Sequence, residues 1–519
     1  MKNIYSFKLK YGLLAFAILL LTACGKEFLE EEVRTETSPT NFFNNDAEGE
    51  LAVNGVYQLL HDNNLYRQRG LDDYYTHGAD VVGPSRNVNG TIHNYLIAEG
   101  VADGNGPWTQ LYRIVNNATE FLENIDGNEK IDTRDRYVGE LLFLRALAYY
   151  HLTNLWGDVP YYRDVIPAIE RSNLGRFDKD VIRTDMKTDL ERAITLLPAE
   201  LYSGSDSGRA TKWAALALKA KFHLFDKEWQ DCKDACDEIL DFSPHQLVQD
   251  LDDLFAPRNE FNIESIWEVD FVSLQGGPLN TTRTDDYNPR IRDEPARRNN
   301  DTIIDGNTVT RVDYFQTEVL QADNEDMTGY GWSVPLPEIA RRENWQTGDL
   351  RYDASIVTKY KGWELSFPYY KKNWNLDQAE SLRGDHPENF IVFRLADIYL
   401  MAAEAENELN GPTNAYDYVN KVRERAFEPD QPWSGLTQDS FREAMYDERK
   451  FELCAEGHRR MDLIRWGILL DVVKTVEHRS FNNPAANIQA HHVLLPIPQQ
   501  QLELNSNLLE SDPTNNNYR

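Results

Sequence analysis

Apolar residues recur at steps of three and four along much of the chain, and this spacing restricts the possible folds more than any other feature. Between residues 134 and 156 the stripe consists of Leu141, Leu144, Ala148, Leu152 and Leu155. Because a helical turn takes 3.6 residues, these positions share one face of a helix. The same pattern predicts helices at about 46–61, 108–125, 180–197, 210–226 and 228–240.

A second helical stretch begins near residue 395. Its apolar positions are Leu395, Ile398, Ala402, Ala405 and Leu409. Gly411-Pro412 ends this helix and begins the next, because glycine favours a helix C-terminus and proline a first turn. Further helices are predicted at about 437–456 and 459–473. Small residues on neighbouring helices favour closely packed pairs of the tetratricopeptide type, although no 34-residue repeat is intact.

Residues 241–387 lack sustained periodicity and are rich in Asp, Asn, Arg, Gly, Pro and aromatic side chains. So long a segment is unusual for a plain linker, and its many rings favour order. We therefore predict one domain over 41–519. It comprises a helical scaffold at about 41–240 and 388–475, an irregular insert at 241–387 and a C-terminal segment at 476–519.

The N-terminus has the pattern of an export signal. Three lysines within the first ten residues precede an apolar stretch from Tyr11 to Leu21. The following Thr22-Ala23-Cys24 completes a bacterial lipobox, which predicts a lipoprotein signal peptide at 1–23. Cys24 is then the acylated first residue, carrying palmitate among its chains, and 24–40 form a tether. The alternative is an ordinary signal peptide with a cysteine there by chance.

The charge balance argues against nucleic acid as a partner. Asp and Glu number 85 against 54 Lys and Arg, which gives a net charge of −31, and loss of the signal peptide makes it −34. Such a field repels phosphate backbones. Past the N-terminus no apolar run is long enough to span a bilayer. The 59 aromatic residues indicate an ordered core.

Motifs for catalysis and metal binding are missing from the sequence. Gly204-Ser205-Asp206-Ser207-Gly208 has an acid where a nucleophile elbow needs serine. No phosphate-binding loop or zinc motif is present, and Asp323–Asp326 is at most a weak cation site. Cys232, Cys236 and Cys454 do not suffice for a disulfide framework. We predict a protein that is not an enzyme, with no cofactor and no metal.

A charged cluster near the C-terminus is predicted to be structural. Its members are Glu448, Glu452, Glu456, Arg459, Asp462 and Arg465. The glutamates lie four apart and the others three apart, on two helices separated by Gly457. We expect the two stripes to face each other and to form bidentate ion pairs within a helical hairpin. Catalysis is the less favoured alternative, because His458 has no second histidine nearby.

Several strings of residues also occur in a characteristic order. They are FLRA at 143–146, LWGDVP at 155–160, GRATK at 208–212, RLADIYL at 394–400, ER at 448–449, EGHR at 456–459, RWG at 465–467 and LPIP at 495–498. With the lipobox, they resemble the SusD/RagB family of Bacteroidetes outer-membrane lipoproteins over nearly the whole mature chain.

This resemblance implies a mainly α fold, a right-handed superhelix of degenerate tetratricopeptide-like helix pairs carrying an irregular ligand-binding half. It implies a lipid-anchored protein exposed on the cell surface at the outer membrane. There it would bind a glycan and act as the lid of a TonB-dependent, SusC-type transporter. A peptide- or protein-binding adaptor of the same complex is an alternative, and a surface glycoside hydrolase is a weaker one.

Two loop-rich regions have a composition suited to carbohydrate, in which rings stack on sugars and polar groups bind hydroxyls. In residues 66–95, the position of the loop in the family suggests Asp80, Arg86 and Tyr95. In residues 287–374, Tyr287 and Trp332 are the candidates, with core packing as the alternative for each ring. The net charge favours a neutral glycan. The arginines at 283, 290, 292, 297 and 298 keep an anionic one open.

Overall fold

The computed structural model describes residues 42–68, 70–85, 92–100, 104–273, 280–288, 331–360, 363–373, 386–478 and 483–519. It gives the backbone alone for 301–304, 307–310, 359–360, 363–367 and 373. The predicted signal peptide, Cys24, the tether and Arg86 lie outside the described residues, as does the weak cation motif at 323–326.

The fold is mainly helical, as predicted. The helices of seven residues or more are α1 Asp46–Tyr57, α2 Gly70–Thr76, α3 Asn105–Ile125, α4 Arg134–Trp156, α5 Lys179–Leu196, α6 Lys212–Asp226, α7 Trp229–Phe242, α8 Leu395–Asn410, α9 Pro412–Ala426, α10 Gln438–Glu452, α11 Arg459–Trp466 and α12 Leu469–Thr475. Shorter helices cover Ala168–Arg171, Leu251–Leu254, Thr284–Tyr287, Pro337–Ala340, Arg351–Ser355, Pro484–Asn487 and Gln499–Leu504. Single 3₁₀ turns occur at Gln58–His61, Gly204–Asp206, Pro257–Asn259, Arg342–Asn344, Lys371–Asn373, Ala490–Val493 and Ser506–Leu509.

The described strands are short and form two-stranded antiparallel sheets. They are β1 Val82–Pro84, β2 Ser265–Val269, β3 Asp301–Ile304, β4 Asn307–Thr310, β5 Ser333–Pro335, β6 Ile356–Tyr360, β7 Trp363–Tyr370 and β8 Phe390–Arg394. The pairs are β1 with β5, β2 with β8, β3 with β4 and β6 with β7. All strands except β1 lie between α7 and α8.

Helices that are neighbours in sequence pack on one another. From α3 to α7 each helix contacts the next, and α8 packs on α7, so the chain returns to the same stack after the insert. Helix α9 then packs on α8. Such stacking of helix pairs is the organisation of a solenoid. The right-handed superhelix implied by the resemblance stays a prediction.

Helix α4 is the centre of the core. Every residue from Tyr137 to Trp156 is buried, although the spacing of leucines predicts burial of one face only. The difference arises because α1, α3 and α5 all pack on α4. Two charged residues of α4 form ion pairs inside the protein. Arg145 pairs with Asp189 at 2.7 Å, and Glu140 pairs with Arg209 at 2.9 Å.

The C-terminal charged cluster is structural, as predicted, but its predicted partners are wrong. The glutamates do not pair with Arg459 and Arg465. Glu448 instead binds arginines 351 and 423, Glu452 binds arginines 394 and 425, and Glu456 binds Arg394 and Lys372. Helix α10 ends at Glu452, which leaves Glu456 in the turn. The glutamates therefore face the insert, β8 and α9, which supply the cations of these pairs.

Among the residues that the structure describes, no helix combines the length and the apolar character needed to cross a membrane. The three cysteines at 232, 236 and 454 are buried and free, in agreement with the prediction that they form no disulfide framework.

Candidate functional site

The two loop regions selected from the sequence meet at the sheet of β1 and β5. Val82 pairs with Pro335, and Pro84 pairs with Ser333. The pairing extends on both sides, because the Ser85 amide donates to the Trp332 carbonyl at 2.9 Å and the Leu336 amide donates to the Val81 carbonyl at 2.9 Å. We call residues 77–85 and 331–336 the loop junction.

Local sequence explains this close approach. A Cβ atom at Gly83 would lie 2.5 Å from Cδ2 of Leu336, so a larger residue here would require the leucine side chain to shift. The Gly331 amide donates to the Asp285 carbonyl at 3.2 Å, which holds the start of the β5 segment against the short helix Thr284–Tyr287. Backbone hydrogen bonds thus connect the two segments of the loop junction to each other, and connect the second segment to the short helix Thr284–Tyr287.

Trp332 is the one predicted ring among the described residues that keeps part of its surface open to solvent. It is half-buried and immediately precedes Ser333, the first residue of β5. Its carbonyl accepts the Ser85 amide, so the backbone at this indole is held against the end of β1. The role of Trp332 in stacking on a sugar stays a prediction.

Tyr287 lies beneath the junction. Its ring is 0% exposed, and its hydroxyl donates to Asp72 at 2.6 Å. It packs against Tyr370, whose hydroxyl donates to the Val81 carbonyl at 2.8 Å. Burial and the Asp72 carboxylate raise the pKa of Tyr287 well above its ordinary value. In this structure Tyr287 supports the loop junction from inside, the core-packing alternative weighed for it.

Asp80 is also turned inward. Its carboxylate is 4% exposed and binds the Arg459 guanidinium through two contacts of 2.7 Å. Burial alone would raise the pKa of Asp80, but Arg459 lowers it below the ordinary value. This pair fastens the segment before β1 to α11. Both carboxylate oxygens of Asp80 accept hydrogen bonds from Arg459 and are buried from solvent.

Tyr95 also supports the loop junction, through a contact with Gly78. It is 2% exposed, and its hydroxyl donates to the Gly78 carbonyl. Its own φ is +56°, a left-handed conformation that costs energy for a residue with a Cβ atom. Gly78 also has a positive φ, of +68°. Asp80, Tyr95 and Tyr287 are thus buried residues that support the loop junction. Arg86 comes directly after Ser85, the last residue of the first segment of the junction.

A polar cleft lies between the insert and the scaffold, away from β1 and β5. Its walls include Phe255, Glu260, Arg283, Lys372 and Phe390, and its volume is about 60 Å³. Arg283 lies 4.6 Å over the Phe390 ring and 3.4 Å from Asp72, so its charge is used internally.

Two carboxyl groups border this cleft, the half-buried Glu260 and the buried Glu268. Glu260 accepts the Asn389 amide at 3.0 Å, and Glu268 accepts Asn389 Nδ2 at 2.9 Å. Burial raises the pKa of Glu260 to about 7 and also raises that of Glu268. A raised carboxyl pKa is a feature of acid catalysis, but here both groups are engaged by the same asparagine.

Within the described parts of the chain, two groups of side chains could hold a metal ion. One is Asp73, His77 and His93, and the other is His223, Glu228 and Asp231. Sequence reasoning missed the first group. Asp73 and His77 are four apart across the end of α2, a spacing that places both on one face, but His93 comes from a different segment.

The comparisons with known proteins agree over both halves of the chain. The model of the SusD family matches residues 244–515, and a model described as starch-binding, associating with outer membrane, matches residues 27–224. A SusD-like protein of Formosa agariphila is 42% identical over 97% of this chain and 98% of its own. The starch-binding protein SusD of Bacteroides thetaiotaomicron is 21% identical over 76% of this chain and 75% of its own.

Solved structures share the fold. A laminarin-binding SusD-like protein superposes with a TM-score of 0.71 at 22% identity, covering 89% of this chain and 98% of that one. Surface glycan-binding protein A from Bacteroides fluxus gives 0.72 at 19% identity, covering 88% and 96%. The family models and the relative at 42% identity leave one conclusion: this chain belongs to the SusD family.

Proposed function

We propose that this protein is a glycan-binding lipoprotein of the outer membrane, exposed on the cell surface and not an enzyme. Relatives described as starch-binding and laminarin-binding support the ligand class, and a family model described as associating with outer membrane supports the location. The lipobox at Cys24 supports the lipid anchor.

One observation carries the proposal. Two loop regions rich in aromatic and polar residues, more than 200 positions apart in sequence, are joined by β1 and β5 with Trp332 at the margin. A sugar ring stacked on this indole would gain roughly 0.5–1.5 kcal/mol, if aromatic pairs are a guide. The rigid support beneath the junction keeps the ordering cost of such binding low.

Glycoside hydrolysis is the weaker alternative because the buried carboxylates have other roles. Asp80, Glu452 and Asp462 are each held by arginines. Glu260 and Glu268 both accept hydrogen bonds from Asn389. No reducing ends should therefore be released when purified protein is incubated with the polysaccharides that it binds.

We favour a neutral glycan. The net charge repels polyanions, and the guanidinium of Arg283 packs against Asp72 and Tyr287. The other four arginines of that cluster lie outside the described residues. Competition between laminarin-type or starch-type glycans and a sulfated or uronic glycan tests this choice, and a preference for the charged ligand would reverse it.

Affinity electrophoresis against a panel of neutral and anionic polysaccharides is the experiment for the function as a whole. We expect at least one neutral polysaccharide to retard the mature protein in native gels. The protein is also expected to co-purify with a SusC-type barrel, for which it would act as the lid. Co-purification without retardation by any glycan would instead favour the adaptor alternative, with a peptide or protein as ligand.

A further inference from the structure

Two buried histidines face each other at the base of the loop junction. His77 Nδ1 lies 2.7 Å from His93 Nδ1, and the rings are nearly perpendicular with centroids 3.9 Å apart. The Asp73 carboxylate lies 3.6 Å from the other nitrogen of His77. One ligand atom from each of the three residues lies within 4.8 Å of the others.

The fold brings these side chains together from three places. Asp73 is on α2, and His77 follows that helix and forms a parallel bridge with Val82 of β1. His93 belongs to the segment that returns to the junction before Tyr95. The Ser333 hydroxyl of β5 lies 3.0 Å from His77 Nε2 and thus holds that imidazole in place.

This donor set fits a divalent transition metal better than calcium or magnesium. Two imidazoles and one carboxylate are ligands that zinc takes in tetrahedral sites, whereas calcium and magnesium prefer oxygen alone. Two nitrogens bound to tetrahedral zinc would be about 3.3 Å apart, so the two Nδ1 atoms need to separate slightly. The Asp73 carboxylate, which lies nearer Nε2 of His77, would also turn toward Nδ1 when the ion binds. We propose that Asp73, His77 and His93 form a zinc site, with Ser333 positioning His77.

A small cavity adjoins the His93 side of the proposed site, and His77 and Asp73 are not among its lining residues. It has a volume of about 20 Å³ and is bordered by His93, Tyr95, Gly83 and Pro84. One water molecule fits such a space. Three protein ligands and one water complete a tetrahedron.

The ion would cross-link α2, β1 and the segment around His93. Because Ser333 contacts His77 and adjoins Trp332, zinc would also restrain the indole that the glycan is proposed to use. Binding to the folded state alone stabilises that state in proportion to the ligand concentration. The inference itself does not depend on what the glycan is, or on whether one binds.

The second group makes a matched control. His223 lies 2.5 Å from Glu228, but the Lys187 ammonium contacts the same carboxylate at 2.6 Å. A fixed cation at that place repels a metal ion. Replacement of His223 should therefore leave zinc binding unchanged.

The test uses mature protein purified without a polyhistidine tag. After treatment with EDTA and dialysis, we expect calorimetry with zinc chloride to show one ion bound per chain and the melting temperature to rise with zinc. Calcium and magnesium should have no effect. His93→Gln and Asp73→Asn should lose zinc binding, and Ser333→Ala should weaken it by about 10- to 100-fold, while His223→Gln retains it.

Failure to bind zinc by the wild-type protein would overturn the proposal, whatever the variants do, and would leave a hydrogen bond between two neutral imidazoles. Binding that persists in both His93→Gln and Asp73→Asn would overturn it as well, because the ion would then lie elsewhere. Glycan retardation is measured with and without EDTA, so that a failure of the zinc proposal can be distinguished from a failure of the glycan-binding proposal.

Discussion

The guanidinium of Arg459 holds both carboxylate oxygens of Asp80 at 2.7 Å, across 379 positions of sequence. This pair links α11 to the segment that leads into β1. Asp80, which the sequence analysis predicts to bind sugar, therefore supports β1, one of the two strands that form the proposed site.

Breaking this pair should destabilise the fold. Asp80→Ala leaves the Arg459 charge buried without its partner, which we expect to lower the free energy of unfolding by about 3–5 kcal/mol. Urea unfolding at pH 7 measures the change. The matched control is the bidentate pair of Asp126 and Arg192, also at 2.7 Å but 43% and 49% exposed. Asp126→Ala should cost about 1 kcal/mol or less.

The same variants separate the structural role of Asp80 from a ligand role. If Asp80→Ala kept wild-type stability and lost glycan retardation, Asp80 would be a direct sugar contact and our interpretation of its burial would be wrong.

Removal of the Tyr287 hydroxyl should affect stability and not glycan affinity. Tyr287→Phe deletes the donor to Asp72 and is expected to cost about 1–2 kcal/mol of unfolding free energy. Tyr161→Phe is the matched control, because its hydroxyl also donates to an aspartate, Asp185, at 2.6 Å on the helical scaffold. A specific loss of glycan affinity in Tyr287→Phe would show that the phenol reaches the ligand.

Stability should decrease as the pH falls from about 6.5 toward 4. Burial lowers the pKa of His151 to about 3 and that of His458 to about 4. The unfolded chain binds protons at these imidazoles near pH 6.5, while the folded chain does not, so acid favours unfolding. Each histidine contributes a slope of about 1.4 kcal/mol per pH unit in that window.

Thermal unfolding at pH 7, 6 and 5 tests this dependence. A second decrease is expected below about pH 4, where protonation of Glu452, Asp397 and Asp462 begins to break ion pairs that hold their pKa values low. Glu140 and Glu260, whose pKa values are raised to about 7, act in the opposite direction between pH 7 and 5, so the pH slope of the wild type is compared with those of His151→Gln and His458→Gln. Slopes that are unchanged in both variants would contradict the burial of neutral His151 and His458.

Replacement of Cys24 should release the protein from the membrane. Cys24→Ser removes the proposed acylation site, so incorporation of labelled palmitate should disappear and the protein should move to the soluble fraction. Cys454→Ser is the control, because that thiol is buried. Labelling that survives in Cys24→Ser would refute the lipobox assignment.

Much of the helical scaffold follows from sequence because its signals are local. The stripe around Leu141 and Leu152 predicts α4 at 134–156, where the structure has Arg134–Trp156. Gly411-Pro412 marks the boundary of α8 and α9. In contrast, the spacing of Glu448 and Glu452 identifies their common face but not the arginines that cover it.

The site is less predictable because its supports come from distant segments. Composition selected the two loop regions that β1 and β5 join, but it could not tell the half-buried Trp332 from the buried Tyr287. Nothing near His77 in sequence indicates His93 or Ser333 as its neighbours. These contacts depend on tertiary packing, which local periodicity does not encode.

The most direct test of the central claim is the dissociation constant of Trp332→Ala for a polysaccharide that retards the wild-type protein. Trp229→Ala is the control, since that half-buried indole begins α7 on the scaffold. We predict about 3- to 10-fold weaker binding for Trp332→Ala at unchanged stability, from the loss of one stacked ring, and no change for Trp229→Ala. Equal affinity of Trp332→Ala and wild type would contradict the placement of the glycan at the loop junction.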